Sequence, residues 1–252
     1  MKSVFWVCSL FVASCLPAVA AAPIVGEPIV PSDPDAAGRE LAAQLRSLRP
    51  VESMTNTATL SVYSRRKLLR KEPLEIVIWA GSTNWSTTYR LNPGASNQTE
   101  LCITRSNAGA TQYRLRSTEG GAVRESTPSG AELMVPFGDS EFWLADLGME
   151  FLQWPTQRLL RKEIRRSQSC DKLESLAPDV RSSGYLRVVG WYDIDTGGPV
   201  IVEAYDSAGK MVKEFKPNDF KKVDGQWQVE EVEISNIRAR TSSTIHFDLG
   251  VK

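Results

Sequence analysis

The chain has 252 residues, 42% of them apolar and 24% charged, the balance of a soluble globular protein with a sizeable core and not of a disordered chain. Its 30 basic and 30 acidic side chains cancel. Net charge therefore draws it to neither nucleic acid nor an anionic surface, and such binding would need a local patch. A single histidine excludes sites built on two or more His ligands.

Met1-Lys2, an apolar run from Val4 to Leu16 and the A-x-A site Ala18-Val19-Ala20 read as a secretory signal peptide over residues 1–20, cleaved before Ala21. Val12-Ala13-Ser14-Cys15 offers a second parse, a lipobox that would leave the protein anchored at Cys15. Either parse places the protein outside the cytoplasm. Cleavage after residue 20 leaves two cysteines, Cys102 and Cys170. In an exported chain such a pair reads as a disulfide, with two unpaired thiols as the alternative. Two thiolates and one distant His246 make a poor zinc set, so no metal is expected.

Residues 21–34 form a linker punctuated by Pro23, Pro28, Pro31 and Pro34. Asp33 or Asp35 can cap a helix starting near Ala36, whose stripe of Leu41, Ala42, Leu45 and Leu48 ends before Pro50. From Ala58 the apolar period becomes two. Strands are predicted near 58–63, 74–79, 85–91, 101–105 and 112–116, with turns at Asn92-Pro93-Gly94 and Asn107-Ala108-Gly109. The segment from Gly138 to Pro155 interrupts them. Trp143, Leu147, Phe151 and Trp154 recur near helical spacing, with Gly148 as a weak point, and predict a central helix. Strands resume at 159–165, 185–192, 200–205, 211–220, 227–236 and 244–249, and a bulge near Glu230-Glu231 is needed to keep the apolar residues on one face. Roughly ten strands in meander order suit a strongly curved sheet or open barrel, with two helices over its concave face. Residues 35–252 read as one domain.

Catalytic signatures are absent: no G-x-S-x-G, H-E-x-x-H, P-loop or G-x-G-x-x-G occurs. His246 lies between Ile245 and Phe247 on a strand and reads as a surface residue, Asp193-Ile194-Asp195 as an Asp-Gly turn, and Glu230-Glu231 as carboxylates on opposite strand faces. An enzyme is not expected. Two basic runs, Arg65-Arg66-Lys67 with Arg70-Lys71 and Arg158 to Arg166, are either solvated strand ends or patches for anionic headgroups or an acidic partner. The tryptophans, among them Trp79, Trp85, Trp143 and Trp154, either fill the core or line an apolar cavity.

The stretch Gly138-Asp139-Ser140-Glu141-Phe142-Trp143-Leu144-Ala145-Asp146-Leu147-Gly148-Met149-Glu150-Phe151-Leu152-Gln153-Trp154-Pro155 resembles the central segment of the bacterial outer-membrane lipoprotein-sorting proteins. Val202 to Asp206, Gly209 to Phe215, Phe220 to Trp227 and Arg238 to Asp248 resemble that family's C-terminal hairpins. The resemblance implies a LolA/LolB-like incomplete barrel closed by helices, without a cofactor. It also implies a monomeric periplasmic carrier that holds the acyl chains of a lipid or lipoprotein and hands them on with an inner-membrane transporter or an anchored partner. The residues that would line the cavity or its lid are Trp79, Trp85, Trp143, Leu144, Leu147, Phe151 and Trp154. RseB-like regulators share the fold, so a periplasmic adaptor that binds a membrane-anchored partner is the alternative.

Overall fold

The computed structural model describes residues 30–107, 109–178, 184–223 and 225–250. The expected signal peptide, Cys15, most of the linker, Ala108 and Asp224 lie outside the described residues. Helix α1 (Pro34–Ser47) is capped as predicted, the Asp33 carboxylate accepting from the Ala36 N–H at 2.9 Å, with a proline in its first turn. Thirteen strands follow: β1 (Met54–Ser64), β2 (Lys67–Ala80), β3 (Asn84–Leu91), β4 (Thr99–Ser106), β5 (Gln112–Glu119), β6 (Ala122–Ser126), β7 (Thr156–Arg165), β8 (Gln168–Leu176), β9 (Arg187–Asp193), β10 (Pro199–Tyr205), β11 (Met211–Val223), β12 (Gln226–Asn236) and β13 (Thr241–Phe247). A five-residue helix, α2 (Leu144–Gly148), lies between β6 and β7.

All thirteen strands form one antiparallel sheet in the order β6-β5-β4-β3-β2-β1-β13-β12-β11-β10-β9-β8-β7. It consists of two meanders joined where β1 pairs β13, with Leu60 opposite Ile245. The edge strands β6 and β7 do not pair, so the barrel is incomplete. They are consecutive in the chain, and residues 127–155 cross the concave face from one edge to the other. Alternating strand residues point inward, as along β3, where Trp85, Thr87, Tyr89 and Leu91 are buried and the residues between them are half-buried. One large core results, uniting both meanders, α1 and the crossing segment. A smaller cluster on the outer face gathers Cys170, Val189, Trp191, Val200 and Ile201.

The predicted elements hold with three corrections. β6 and β8 were not predicted: β6 is exposed along its whole length and β8 buries few apolar residues, so neither carries a period of two. The bulge falls where it was needed. Asp219 faces Glu231 and Phe220 faces Val229, which leaves Glu230 unpaired. The central helix is not one helix. α2 stops at Met149, whose left-handed backbone (φ 48°) starts a separate 3-10 turn at Glu150–Gln153. Both pieces bury their apolar side chains, which reproduces helical spacing without a continuous helix. The third correction concerns the cysteines: Cys102 on β4 and Cys170 on β8 are unbonded, with eight strands between theirs in the sheet.

Candidate functional site: a plug fastened across the concave face

The crossing segment is a plug. Pro136 bridges to Trp143, which makes a tight loop of residues 137–142, and Ser140 accepts from the Phe142 N–H at 3.1 Å. Leu144, Leu147, Phe151 and Leu152 then enter the apolar interior of the sheet. Gly148 is required there. A Cβ at this position would lie 1.9 Å from the Tyr113 hydroxyl.

Polar side chains from several elements reach in to the plug and donate to its backbone carbonyls. Arg70 of β2 donates to Gly138, Lys213 of β11 to Glu141 (2.5 Å), Arg105 of β4 to Gly148 (2.9 Å) and Arg46 of α1 to Leu152. Gln157 of β7 serves both Phe151 (2.9 Å) and Trp154 (2.8 Å). These bonds serve carbonyls at the ends of the plug's short helical pieces and in its loop, and add a second donor at Phe151, whose carbonyl also accepts from the Trp154 N–H at 3.3 Å. Side chains of the plug are held as well: Tyr113 donates to Glu150 at 2.9 Å, and Asn236 (3.1 Å) and Thr241 donate to Glu141.

The least ordinary part surrounds Lys213, whose side chain is only 3% exposed. Its Nζ lies 3.6 Å from Asp146 and 3.8 Å above the Trp143 ring, which stacks on Tyr185 at 4.7 Å. Asp146 also accepts from the Trp143 N–H (2.8 Å) and the Tyr185 hydroxyl (3.0 Å). Burial pushes the Asp146 carboxyl up against the pull of Lys213, and pushes the Lys213 amine down against the pull of Asp146. The same burial drives the Tyr185 hydroxyl well above its ordinary range, which keeps it a neutral donor. The group therefore works as a fastening for the plug. It has no open space beside it: the cavity between Asp146, Met149, Phe151, Val188 and Phe215 amounts to about 10 Å³, room for one water.

Of the predicted site residues, Trp143, Leu144, Leu147, Phe151 and Trp154 are brought together in the plug and its core. Trp85 is fully buried on the inner face near the start of β3, under Arg49, and its Nε1 has no hydrogen-bond partner among the described residues. Trp79 is a correction. It alternates with the inward-facing Ile78, and so stands on the outer face, 49% exposed. Sequence reasoning missed Lys213, Asp146 and Tyr185, because a Lys, an Asp and a Tyr in separate strands and turns carry no spacing signal. It also missed Arg105 and Gln157. Among the described residues, larger open clefts lie at the margins of the plug: one of about 640 Å³ between Cys102, Thr104, Tyr113 and Thr127 to Ser129, and one of about 340 Å³ between Arg46, Arg105 and Gln153.

Among the described residues no three His, Cys, Asp or Glu gather as a metal site, and no helix is long and apolar enough to cross a membrane.

Comparisons with known proteins bear on the fold. A family model described as "Uncharacterized protein" matches residues 122–249, just over half of the chain. No curated protein matches. A DUF1329 family protein from Desulfovibrio piger superposes with a TM-score of 0.65 at 19% identity, over 88% of this chain and 96% of that one. A domain described as an outer membrane lipoprotein-sorting protein from Vibrio parahaemolyticus gives 0.66 at 19% identity, over 86% and 94%. A LolA superfamily protein from Nitrosomonas europaea gives 0.57 at 16% identity, over 85% and 91%. The incomplete barrel is thus a fold shared with these three solved structures.

Proposed function

The chain belongs to the "Uncharacterized protein" family whose model spans residues 122–249, and we propose that it is a periplasmic carrier of acyl chains, borne by a lipid or a lipoprotein. The plug carries this reading. It fills the concave face with side chains of acyl-like chemistry, yet it is fastened by side-chain bonds to its carbonyls and not by strand pairing. Such a segment can leave without dismantling the sheet. The energies are commensurate. Four buried side chains, Leu144, Leu147, Phe151 and Leu152, contribute roughly 6–12 kcal/mol, and a 16-carbon chain at about 0.8 kcal/mol per methylene gains about 12. A cargo chain entering the same face could therefore offset the loss of the plug's burial. The fold shared with the lipoprotein-sorting domain supports the reading.

The test is a titration of delipidated protein with a fluorescent fatty acid, beside native mass spectrometry of protein taken from its own periplasm. Saturable uptake and a co-purifying lipid are expected. No uptake at micromolar probe, with no lipid in the native spectrum, would refute the reading. Recovery of a membrane-anchored protein and no lipid would favour an adaptor instead.

A further inference from the structure

One rim of the barrel carries a feature that the carrier reading does not use. The β1–β2 turn holds Arg65, Arg66 and Lys67, and the β12–β13 turn holds Arg238 and Arg240. The two turns are neighbours in space. β1 pairs β13 up to Ser64 opposite Thr241, and the Arg65 N–H donates to the Arg240 carbonyl at 2.8 Å. All five basic side chains are exposed, and among the described residues none of them pairs with a carboxylate. The chain as a whole is neutral, so five unpaired cations on two adjacent turns are a local excess. Among them stand three exposed aliphatic side chains, Leu68 (48%), Leu69 (61%) and Ile237 (47%). Leu68 and Leu69 open β2 and Ile237 lies in the β12–β13 turn, and water alone gives no reason to expose these apolar groups at the rim.

We propose that this rim docks on an anionic lipid bilayer, the cations meeting the headgroups while Leu68, Leu69 and Ile237 enter the interface. The mix of chemistry selects that occupant. Cations alone would suit any polyanion, and aliphatics alone any apolar face, but a membrane interface presents anionic charge above hydrocarbon. The position fits as well. Arg70, three residues beyond Lys67, holds the plug at the Gly138 carbonyl and lies 3.6 Å from Asp139, while Asn236 and Thr241, which flank the second turn, hold Glu141. Docking would thus set the first loop of the plug against the bilayer. This inference deepens the carrier reading and rests on it only for its purpose, because docking is measured without cargo.

The experiment is flotation of the full-length mature protein with phosphatidylcholine vesicles and with vesicles containing about a third phosphatidylglycerol. Preferential binding to the anionic vesicles is expected, lost near 1 M salt, where the screening length falls to about 3 Å. Each of Arg65→Gln, Arg66→Gln and Arg238→Gln should weaken partitioning about fivefold. Leu68→Ser with Leu69→Ser should weaken it while leaving the salt dependence in place. All are surface changes, and a melting curve for each variant separates loss of docking from loss of fold. Equal binding to neutral and anionic vesicles, or binding that survives the triple Gln variant, overturns the proposal. So does salt-sensitive binding to polyglutamate with none to vesicles, which would assign the rim to an acidic protein. Fatty-acid uptake by the triple variant should match the wild type. Failure of uptake with docking intact would count against the carrier reading alone.

Discussion

Replacing Lys213 by Met removes the cation that, among the described residues, faces Asp146 at 3.6 Å within the incomplete barrel. At an effective dielectric of about 20, two unit charges at that distance attract by about 5 kcal/mol. Removing one partner of a buried pair costs about 3–5 kcal/mol, because the other charge is left in apolar surroundings. The expected loss is therefore about 4 kcal/mol at neutral pH, a fall in Tm of about 10 °C for a chain of this size. The loss must depend on pH. Burial holds the Asp146 carboxyl above its ordinary range, so the native state binds a proton that the unfolded state has released. Stability then falls as pH rises through the window between the unfolded and folded values. Without Lys213 that window extends upward. The variant should lose most at pH 8 and recover part of the difference as the pH is lowered and the native carboxyl takes up its proton. Adding Asp146→Asn to Lys213→Met should restore much of the stability at pH 8, since a neutral amide needs no counter-charge. Thermal melts of the two variants and the wild type at pH 8 and at lower pH test this. A Lys213→Met protein that melts with the wild type at pH 8, or a penalty that neither acid nor Asp146→Asn relieves, would refute the assignment of Lys213 and Asp146 as a coupled fastening.

Leu147→Asp puts an unpaired carboxylate on the plug's buried face and should expel the plug while the sheet still melts cooperatively; a loss of several kcal/mol in the global melt would count against a plug that leaves without dismantling the sheet. Arg105→Ala leaves the Gly148 carbonyl without its donor and should cost about 1–3 kcal/mol while raising the rate of fatty-acid uptake, read by stopped-flow fluorescence. Gly38→Ala should lift α1 from the sheet, since its Cβ would meet the Arg158 backbone nitrogen at 2.5 Å; protection of α1 amides from exchange should fall with little change in the strands. Thiol titration of the mature protein should count two free thiols. Cys102 should react first, and Cys170, whose thiol burial pushes up to about 11, should react only on unfolding.

The fold was legible wherever burial imposed a period. β3 reads Trp-x-Thr-x-Tyr-x-Leu because one face is covered, and α1 reads from its Asp33 cap and its leucines. β6 was invisible for the converse reason: an edge strand with both faces in solvent has no apolar alternation to show. The plug was half legible. Its aromatic and leucine content marked it as buried, but helical spacing was matched by a helix and a 3-10 turn broken at Met149, a backbone change that no side chain announced. The fastening residues were not legible at all. Lys213 sits on β11 between Val212 and Glu214 and looks like any strand lysine, and only the pairing of β11 with β12 carries it under Trp143. The cysteine pair misled because compartment predicts bonding in general, whereas position in the sheet decides it in each case.

The plug is tied to the sheet at both ends, through β6 and through β7, and under the proposed carrier reading this would make it an intramolecular competitor of the cargo. It cannot be diluted away, so its effective concentration at the concave face stays fixed whatever the abundance of cargo. Apparent affinity for cargo then equals the intrinsic affinity multiplied by the fraction of molecules already open. Every 1.4 kcal/mol of fastening weakens that apparent affinity tenfold, and returns the same factor to unloading when the plug closes again. The plug's polar bonds would in this way set how readily cargo is given up, independently of how well the apolar face holds it.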